Sequence, residues 1–338
     1  MVNFLSIASL SRPELLPRIE NVDATTFAAL SLEVFRYQAV HNPIYAEFLK
    51  LLHVNPLDVG RAADIPCLPI ALFKKYDLRS GGEWSPVRTF TSSGTTGQTT
   101  SRHLLRNESW YRQNARRAFE AQYGSLINRP ILALLPGYLE RSGSSLVFMA
   151  DDFIKQSNHT DSGFFLDDQK TLHKKLSRLQ NETGPAPLLI GVSFALLDLA
   201  DKFPGHFSRC IIMETGGMKG RRREMTRTEL HDVLKSAFQT DYIHSEYGMT
   251  ELLSQAYAPR DGFFQPAPTL RAFTRETSDP LTLRKDSKTG ALNLHDLANL
   301  DTISFISTDD LGRVYPDGAF EVLGRMDASD TRGCNLLY

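Results

Sequence analysis

The stretch TFTSSGTTGQTTSRHLL, from Thr89 to Leu105, concentrates small hydroxyl side chains in one place. Between Thr91 and Ser101, eight of eleven residues carry a hydroxyl group and two more are glycines. Glycine lets backbone N–H groups approach an anion closely, and Ser and Thr hydroxyls add side-chain donors. The loop is therefore suited to a polyphosphate, although its composition alone also fits a flexible polar turn. It is not a Walker A loop, because the G-x-x-x-x-G-K-[ST] frame is absent.

The overall composition excludes several classes of protein. The 338 residues include 38 Lys and Arg against 39 Asp and Glu, so we expect no nucleic-acid surface, which normally shows a basic excess. No apolar run reaches the roughly 20 residues that span a bilayer, and the N-terminus lacks the basic start of a secretory signal. Cys67, Cys210 and Cys334 are scattered, and an odd number does not suit a disulfide framework. A reducing cytoplasm is the predicted setting.

The order of the apolar patterns predicts an α/β protein. The first 80 residues show apolar side chains at helical spacing, as in FAALSLEVFRYQAV and PIYAEFLKLLHV. From about residue 130, short apolar runs alternate with helical patterns: ILALLPG (131–137), LLIGVS (188–193) and RCIIME (209–214). After residue 265 the chain is richer in turns and β-type segments, which predicts a small β-rich lobe.

Two elements near residue 240 can be predicted in more detail. Thr226 and Glu229 have the spacing of a capping box at the start of a helix. One apolar face of that helix would be formed by Leu230, Val233, Leu234, Ala237 and Phe238. The next strand, DYIHSEYG, would end near Tyr247 and Gly248, and open α/β sheets hold their ligands in loops at such strand ends.

Four short motifs carry a resemblance to a known superfamily. In chain order they are SSGTTG (Ser92 to Gly97), YGMTE (Tyr247 to Glu251), STDDLGR (Ser307 to Arg313) and LGR (Leu323 to Arg325). They resemble the phosphate loop, the adenine and magnesium motif, the ribose-binding segment and the pre-hinge arginine of adenylate-forming enzymes. The chain looks closest to the acyl-protein synthetases of bacterial luminescence systems (LuxE-type). That likeness rests on LPIALFKKY, ETGGMKG, HSEYGMTELLSQAY and EVLGRMDASDTRGCNLL.

The resemblance implies a fold and a division of the chain. The fold would be the large α/β N-terminal domain of adenylate-forming enzymes, without their usual C-terminal lid domain. That domain would cover residues 1–325, with a helical start (1–80), an α/β core (about 85–265) and a β-rich lobe (about 266–325). Residues 326–338 would form a mobile C-terminal tail.

The resemblance also implies ATP and Mg²⁺ as cofactors and gives residues their roles. The β and γ phosphates of ATP would lie in the loop formed by Ser92, Ser93, Gly94, Thr95, Thr96 and Gly97. Tyr247 and Gly248 would lie beside adenine, and Gly216 and Gly217 would form a turn beside the nucleotide and the acyl chain. Thr250 would contact the α-phosphate, Glu251 would bind Mg²⁺, Asp310 would bind the ribose and Arg325 would complete the contacts. Asp309 is the rival of Asp310, and His244 could shape the carboxylate site.

A cysteine near the end of the chain indicates where the acyl group would go. In the family that the chain resembles, a fatty acyl group passes to a C-terminal cysteine and then to a fatty-acid reductase partner. Cys334 matches that placement, and Arg332 nearby would favour its thiolate. The lysine that follows the phosphate loop in many relatives is missing, with Arg102 and Lys219 as possible replacements. An acyl- or aryl-CoA ligase and a non-catalytic nucleotide-binding subunit remain the alternatives.

Overall fold

The structure is a computed structural model, and it describes residues 10–92, 100–136, 143–216, 225–284 and 288–326. The chain divides into two compact units. Unit 1 comprises Met1–Tyr111, Thr250–Ser254 and Pro266–Tyr338, and unit 2 comprises Arg112–Met249 and Gln255–Gln265. Within the described ranges, no helix has the length and apolar character needed to cross a membrane.

In the described residues, three helices come first, helices and strands alternate through the middle, and strands make up most of the last part. The α-helices are α1 (Arg12–Glu20), α2 (Phe27–His41), α3 (Pro43–Leu51), α4 (Glu108–Tyr123), α5 (Ser145–Ser157), α6 (Gln169–Leu179), α7 (Ser193–Lys202) and α8 (Arg227–Phe238). The strands are β1 (Leu68–Pro69), β2 (Arg88–Thr91), β3 (Arg102–Leu105), β4 (Ile131–Leu134), β5 (Gly163–Phe164), β6 (Leu188–Val192), β7 (Ile211–Thr215), β8 (His244–Tyr247), β9 (Ala256–Ala258), β10 (Gln265–Pro266), β11 (Leu270–Arg275), β12 (Gly290–Asp296), β13 (Phe305–Val314) and β14 (Phe320–Arg325). Short 3-10 turns lie at Ala62–Asp64, Ile70–Lys74 and Leu297–Asn299.

Unit 1 contains a five-stranded sheet and a hairpin. The sheet runs β1-β13-β12-β11, and β14 pairs with β13 on the side of that path. Strand β1 is parallel to β13, and the other pairs are antiparallel. Strands β2 and β3 form a separate antiparallel hairpin, in which Thr91 pairs with Arg102. The hydroxyl-rich loop of the sequence is the connection at the end of this hairpin.

Helix α2 attaches to the β-rich part of unit 1 through buried polar contacts as well as apolar ones. Phe35 packs edge-on against Phe305, with ring centroids 6.0 Å apart. The Gln38 amide donates to the Asn299 carbonyl at 3.1 Å, and Ser304 donates its backbone N–H to the Gln38 oxygen at 3.0 Å. A buried amide with both ends satisfied fixes how two elements pack, because either end left unpaired would cost a desolvation penalty.

Unit 2 is an α/β unit built on a seven-stranded sheet. The strand order is β10-β9-β8-β7-β6-β4-β5. The pairs from β5 to β8 are parallel, and β9 is antiparallel to β8. Strands β4 and β6 are buried along their whole length, as expected for parallel strands that are covered on both faces. The three apolar runs of the sequence therefore form β4, β6 and β7, as predicted.

Helix α8 begins as the sequence predicts but buries a different face. Thr226 and Glu229 form the capping box, with the Glu229 N–H donating to the Thr226 hydroxyl at 3.2 Å. Leu230, Leu234 and Phe238 are buried, but Val233 is 40% exposed. The prediction that Val233 lies on the buried face is wrong. The buried face includes His231 instead, a residue that the apolar pattern did not include.

Candidate functional site

The base of the hydroxyl-rich loop is closed by two serines of unit 1. Ser92 donates its backbone N–H to the Ser101 carbonyl at 3.1 Å, and Ser101 donates its own N–H to the Ser92 hydroxyl at 2.9 Å. These bonds continue the β2–β3 ladder by one residue pair. We call this pair, Ser92 and Ser101, the neck of the loop. Ser93, Gly94, Thr95, Thr96 and Gly97 lie outside the described residues.

The Thr250–Glu251 segment of unit 1 lies between strands, and side chains hold its carbonyl groups. His103 Nδ1 lies 2.7 Å from the Thr250 carbonyl oxygen, and the Asn299 amide donates to the Glu251 carbonyl at 2.8 Å. Shortly after this segment, Asp296 accepts two backbone N–H groups, from Leu253 at 2.8 Å and from Ser254 at 3.0 Å. The segment is therefore fixed on both sides by buried polar side chains.

The Glu251 carboxyl group lies beside the neck of the loop. It is 7% exposed, and burial raises its pKa above the ordinary glutamate value. A hydrogen bond from the Ser101 side chain opposes that shift, as do the positive charges of Arg325 and Lys74. A buried carboxylate whose pKa stays raised despite these interactions is a suitable oxygen ligand for a divalent cation, since the cation would offset its desolvation.

Asp310 and Arg325 face each other across the β13–β14 ladder. The Arg325 Nε atom lies 3.4 Å from the Asp310 Oδ1 atom. Asp310 is 8% exposed, whereas the Arg325 side chain is 72% exposed. Asp309 is exposed on the opposite face of β13, so only Asp310 is in the same buried setting as the arginine pair. Arg325 thus acts electrostatically on both Asp310 and Glu251.

Among the predicted site residues that the structure describes, five fall in unit 1: Ser92, Thr250, Glu251, Asp310 and Arg325. Within unit 1, the Glu251 carboxyl group interacts with Ser101 of the loop neck and electrostatically with Arg325. Sequence reasoning missed Ser101, His103 and Asn299 as parts of this site. Arg102, a possible replacement for the missing lysine, forms an ion pair with Asp77 at 2.7 Å.

The other described site residues belong to unit 2. The Tyr247 ring packs against Phe264, with centroids 5.7 Å apart. Gly248 follows, and a Cβ atom there would lie 2.4 Å from Glu246 Oε1, so a larger residue would have to displace that carboxyl group. Gly216 follows β7 with φ 69°, and its carbonyl accepts the Ser193 hydroxyl at 2.5 Å. Gly217, Lys219, Arg332 and Cys334 lie outside the described residues.

The sequence patterns did not point to Glu214 and Glu246, which lie near the C-terminal ends of strands β7 and β8. Glu246 is 8% exposed and accepts a hydrogen bond from the Thr215 hydroxyl. Burial raises the pKa of Glu246 to about 7, and the nearby charge of Glu214 adds to the shift. Glu214 in turn lies 3.5 Å from Arg227 Nε and 3.7 Å from His231 Nε2. The residue before Tyr247 is therefore a carboxyl group that titrates near neutral pH.

Cys67 and Cys210 are buried, and His244 is partly buried. Burial lowers the pKa of His244 to about 4, and its Nδ1 atom lies 3.3 Å from the Tyr123 hydroxyl. Both cysteines are buried, and burial raises the pKa of Cys67 and, to about 12, that of Cys210. A thiol with a raised pKa is a poor nucleophile, so these two cysteines suit core packing.

Comparison with solved structures identifies the fold. The chain superposes on 2-hydroxyisobutyryl-CoA ligase in complex with 2-HIB-AMP and CoA with a TM-score of 0.63, at 13% identity over 97% of this chain and 81% of that one. The same ligase in its postadenylation state gives a TM-score of 0.64 at 12% identity. This is the fold of adenylate-forming ligases. The α/β fold class predicted from the sequence is therefore confirmed.

A second group of similar structures covers less of the protein. ATP-bound MatB from Rhodopseudomonas palustris matches with a TM-score of 0.54, at 15% identity over 73% of this chain and 50% of that chain. The chain thus spans about half the length of the MatB structure. No protein-family model matches the sequence, and no curated protein matches it either. At these identities the likeness establishes the fold alone.

Proposed function

We propose that this protein uses ATP and Mg²⁺ to activate a carboxylic acid as an acyl adenylate and then passes the acyl group to a thiol. One observation carries the proposal: within unit 1 the buried Glu251 carboxyl group interacts with Ser101 at the neck of the hydroxyl-rich loop and with the positive charge of Arg325. A phosphate-binding loop, a metal-binding carboxylate and a positive charge are the parts that nucleotide activation needs.

The described residues fit an ATP and Mg²⁺ site of this kind. Mg²⁺ is commonly held by one or two carboxylates plus phosphate oxygens, so one buried carboxylate beside a phosphate loop is sufficient. Glu251 would hold the metal, and Thr250 would contact the α-phosphate. The metal supplies Lewis-acid stabilisation of the charge that develops on the phosphate oxygens. Asp310 would accept the ribose hydroxyls, with Arg325 beside it at 3.4 Å.

The first reaction requires two anions to meet. A carboxylate oxygen of the acid attacks the α-phosphorus of ATP, the bond to the β-phosphate oxygen breaks, and pyrophosphate leaves. Fixed donors and positive charges lower the repulsion between the two anions and need no reorganisation during the reaction. Ser93, Thr95, Thr96 and Gly97 would donate to the departing phosphates.

The second reaction would transfer the acyl group to Cys334. The cysteine thiolate attacks the acyl carbonyl carbon, a thioester forms, and AMP leaves with the phosphate oxygen. A fatty acid is the proposed substrate, and a fatty-acid reductase is the proposed recipient of the thioester. A reducing, cytoplasmic setting would keep Cys334 as a free thiol. Cys334 is chosen over Cys67 and Cys210 because both of those thiols are buried.

A CoA ligase is the second candidate function. It is favoured by the likeness to a CoA ligase structure over 97% of this chain. In that case the acceptor would be the thiol of CoA, and Cys334 would carry no acyl group. An acyl- or aryl-CoA ligase and an acyl-protein synthetase share the first reaction, so only the second reaction separates them.

Intact-mass measurement separates these candidates. The full chain is incubated with Mg·ATP and a fatty acid, with and without CoA. A hydroxylamine-labile adduct with the mass of the acyl group, absent in Cys334→Ser, supports the acyl-protein synthetase. Cys67→Ser and Cys210→Ser serve as matched controls and should retain the adduct. Free acyl-CoA without an adduct supports the CoA ligase. If neither pyrophosphate nor an adduct forms, acid activation is refuted altogether.

A further inference from the structure

The Thr250 carbonyl group is held by a side chain from a distant strand. Thr250 and Glu251 lie after β8 and before β9, where no strand partner takes up their carbonyl groups. His103 of β3 is 147 residues away in sequence, yet its Nδ1 atom lies 2.7 Å from the Thr250 oxygen. A carbonyl oxygen only accepts hydrogen bonds, so Nδ1 must carry the proton.

The second nitrogen of the same ring is also engaged. His103 Nε2 lies 3.0 Å from the Thr302 hydroxyl oxygen. Because Nδ1 carries the proton, Nε2 of the neutral ring accepts, and the Thr302 hydroxyl donates. The His103 side chain is 1% exposed and Thr302 is 2% exposed, so water does not compete for either bond. One tautomer and one ring orientation are thereby specified.

Thr302 is itself fixed by the helical start of the chain. Its carbonyl oxygen accepts the Ser80 hydroxyl at 2.5 Å and the Asn42 amide at 2.9 Å. Asn42 also caps α3 by accepting the Tyr45 N–H at 3.0 Å. A continuous chain of hydrogen bonds therefore runs from the α2–α3 junction through Thr302 and His103 to the residue before Glu251.

We infer that His103 is a positioning residue that holds the Thr250–Glu251 backbone in the geometry required for binding Mg·ATP. The inference rests on the proposed function, because it assigns Thr250 and Glu251 to the nucleotide. His103 touches no reacting atom, and it acts only through the Thr250 carbonyl group. Carboxylate ligands and phosphate contacts must be held within about half an ångström, which a turn with unsupported carbonyl groups does not achieve.

The test uses three variants of the full chain and isothermal titration calorimetry with Mg·ATP. His103→Phe removes both hydrogen bonds, and we expect the Kd for Mg·ATP to rise about tenfold, as for the loss of one buried hydrogen bond. His103→Asn keeps a donor near the Nδ1 position and should restore most of that affinity. Phe90→Leu is the matched control, because Phe90 is buried and pairs with His103 in the β2–β3 hairpin. It should bind Mg·ATP as the wild type does.

Three results would overturn the inference. The first is an unchanged Kd for Mg·ATP in His103→Phe, and the second is no recovery of affinity in His103→Asn. The third is an equal loss of affinity in Phe90→Leu, because that would indicate general disruption of the hairpin. If His103→Phe does not fold, Thr302→Val removes only the donor to Nε2 and should raise the Kd about threefold. Side-chain ¹⁵N NMR of the unliganded protein gives an independent readout: the neutral ring should carry its proton on Nδ1, and the opposite tautomer contradicts the inference.

The same experiments distinguish failure of the inference from failure of the proposed function. A wild-type chain that binds Mg·ATP but catalyses no acid-dependent pyrophosphate exchange refutes acid activation and leaves the role of His103 standing. A wild-type chain that exchanges pyrophosphate, with His103→Phe binding unchanged, refutes the role of His103 alone. A wild-type chain that binds no Mg·ATP refutes both.

Discussion

Asp310 and Arg325 are directly opposite each other in the β13–β14 ladder, with Oδ1 and Nε 3.4 Å apart. The neighbouring Asp309 is exposed, because successive residues of a strand point to opposite faces. The strand thereby distinguishes two adjacent aspartates that the sequence alone leaves as rivals. Only Asp310 of the two is both buried and paired with a charged group on the opposite strand.

Asp310→Asn should weaken nucleotide binding, and Asp309→Asn should not. The amide introduced by Asp310→Asn would donate where the carboxylate accepted, so at least one ribose hydroxyl loses its acceptor. We expect the Kd for Mg·ATP to rise about tenfold, the usual effect of losing a hydrogen bond to a charged group. Calorimetric titration of both variants checks this. Equal affinities in the two variants would contradict the assignment of Asp310.

Removal of the Ser101 hydroxyl should destabilise the protein. Ser101 is 2% exposed, and hydrogen bonding by its side chain lowers the pKa of the buried Glu251 carboxyl group. Without that donor the pKa of Glu251 would rise further, and a hydrogen bond to a charged group contributes about 1.5–3 kcal/mol. Ser101→Ala should therefore lower the free energy of unfolding by that amount in urea titrations. Ser109→Ala, on the exposed face of α4, should have no measurable effect.

Glu246 should make stability depend on pH. The pKa of Glu246 is raised from 4.5 to about 7 in the folded protein. The folded state therefore retains a proton that the unfolded chain releases, and stability should fall as pH rises from about 4.5 to about 7. The loss amounts to roughly 3 kcal/mol above pH 7.

Glu246→Gln tests this dependence through the free energy of unfolding at pH 5, 6, 7 and 8. The variant should be more stable than the wild type at pH 8 and close to it at pH 5, because the amide resembles the protonated acid. Glu83→Gln, whose side chain is 95% exposed, should follow the wild-type profile. Parallel profiles for Glu246→Gln and the wild type would show that Glu246 is ionised throughout.

Shortening single side chains of α8 should have different effects on stability at its buried and exposed faces. Leu234 is 0% exposed and Val233 is 40% exposed. Leu234→Ala should lower the free energy of unfolding by about 2–5 kcal/mol, because it removes buried methyl groups and leaves a cavity. Val233→Ala should change it by less than about 0.5 kcal/mol. Equal effects would mean that Val233 packs in the core, as the sequence pattern alone predicted.

Local patterns predicted much of the fold. The apolar runs that form β4, β6 and β7 are visible because parallel strands buried on both faces need continuous apolar side chains. The start of α8 is visible because Thr226 and Glu229 satisfy each other within four residues. The error at Val233 arose because a helical apolar pattern gives a face only approximately, and the rest of the protein decides which side of that face is covered.

The supports of the candidate site could not be predicted from local patterns. His103 reaches Thr250 across 147 residues, and Asn299 reaches Glu251 across 48 residues. Such pairs depend on how the hairpin packs against the β-rich sheet, and a short stretch of sequence does not determine that packing. The raised pKa of Glu246 likewise depends on burial beside Glu214 of the adjacent strand. A histidine, an asparagine or a glutamate in a sequence does not reveal these surroundings.

The most direct test of acid activation is carboxylic-acid-dependent exchange of labelled pyrophosphate into ATP, measured for the wild type and for Glu251→Gln. This substitution keeps the size of the side chain but removes the charge that would bind Mg²⁺. We expect exchange in the wild type only when a carboxylic acid is present, and a loss of about a hundredfold or more in Glu251→Gln. Exchange that needs no acid, or equal exchange in the variant, would contradict it.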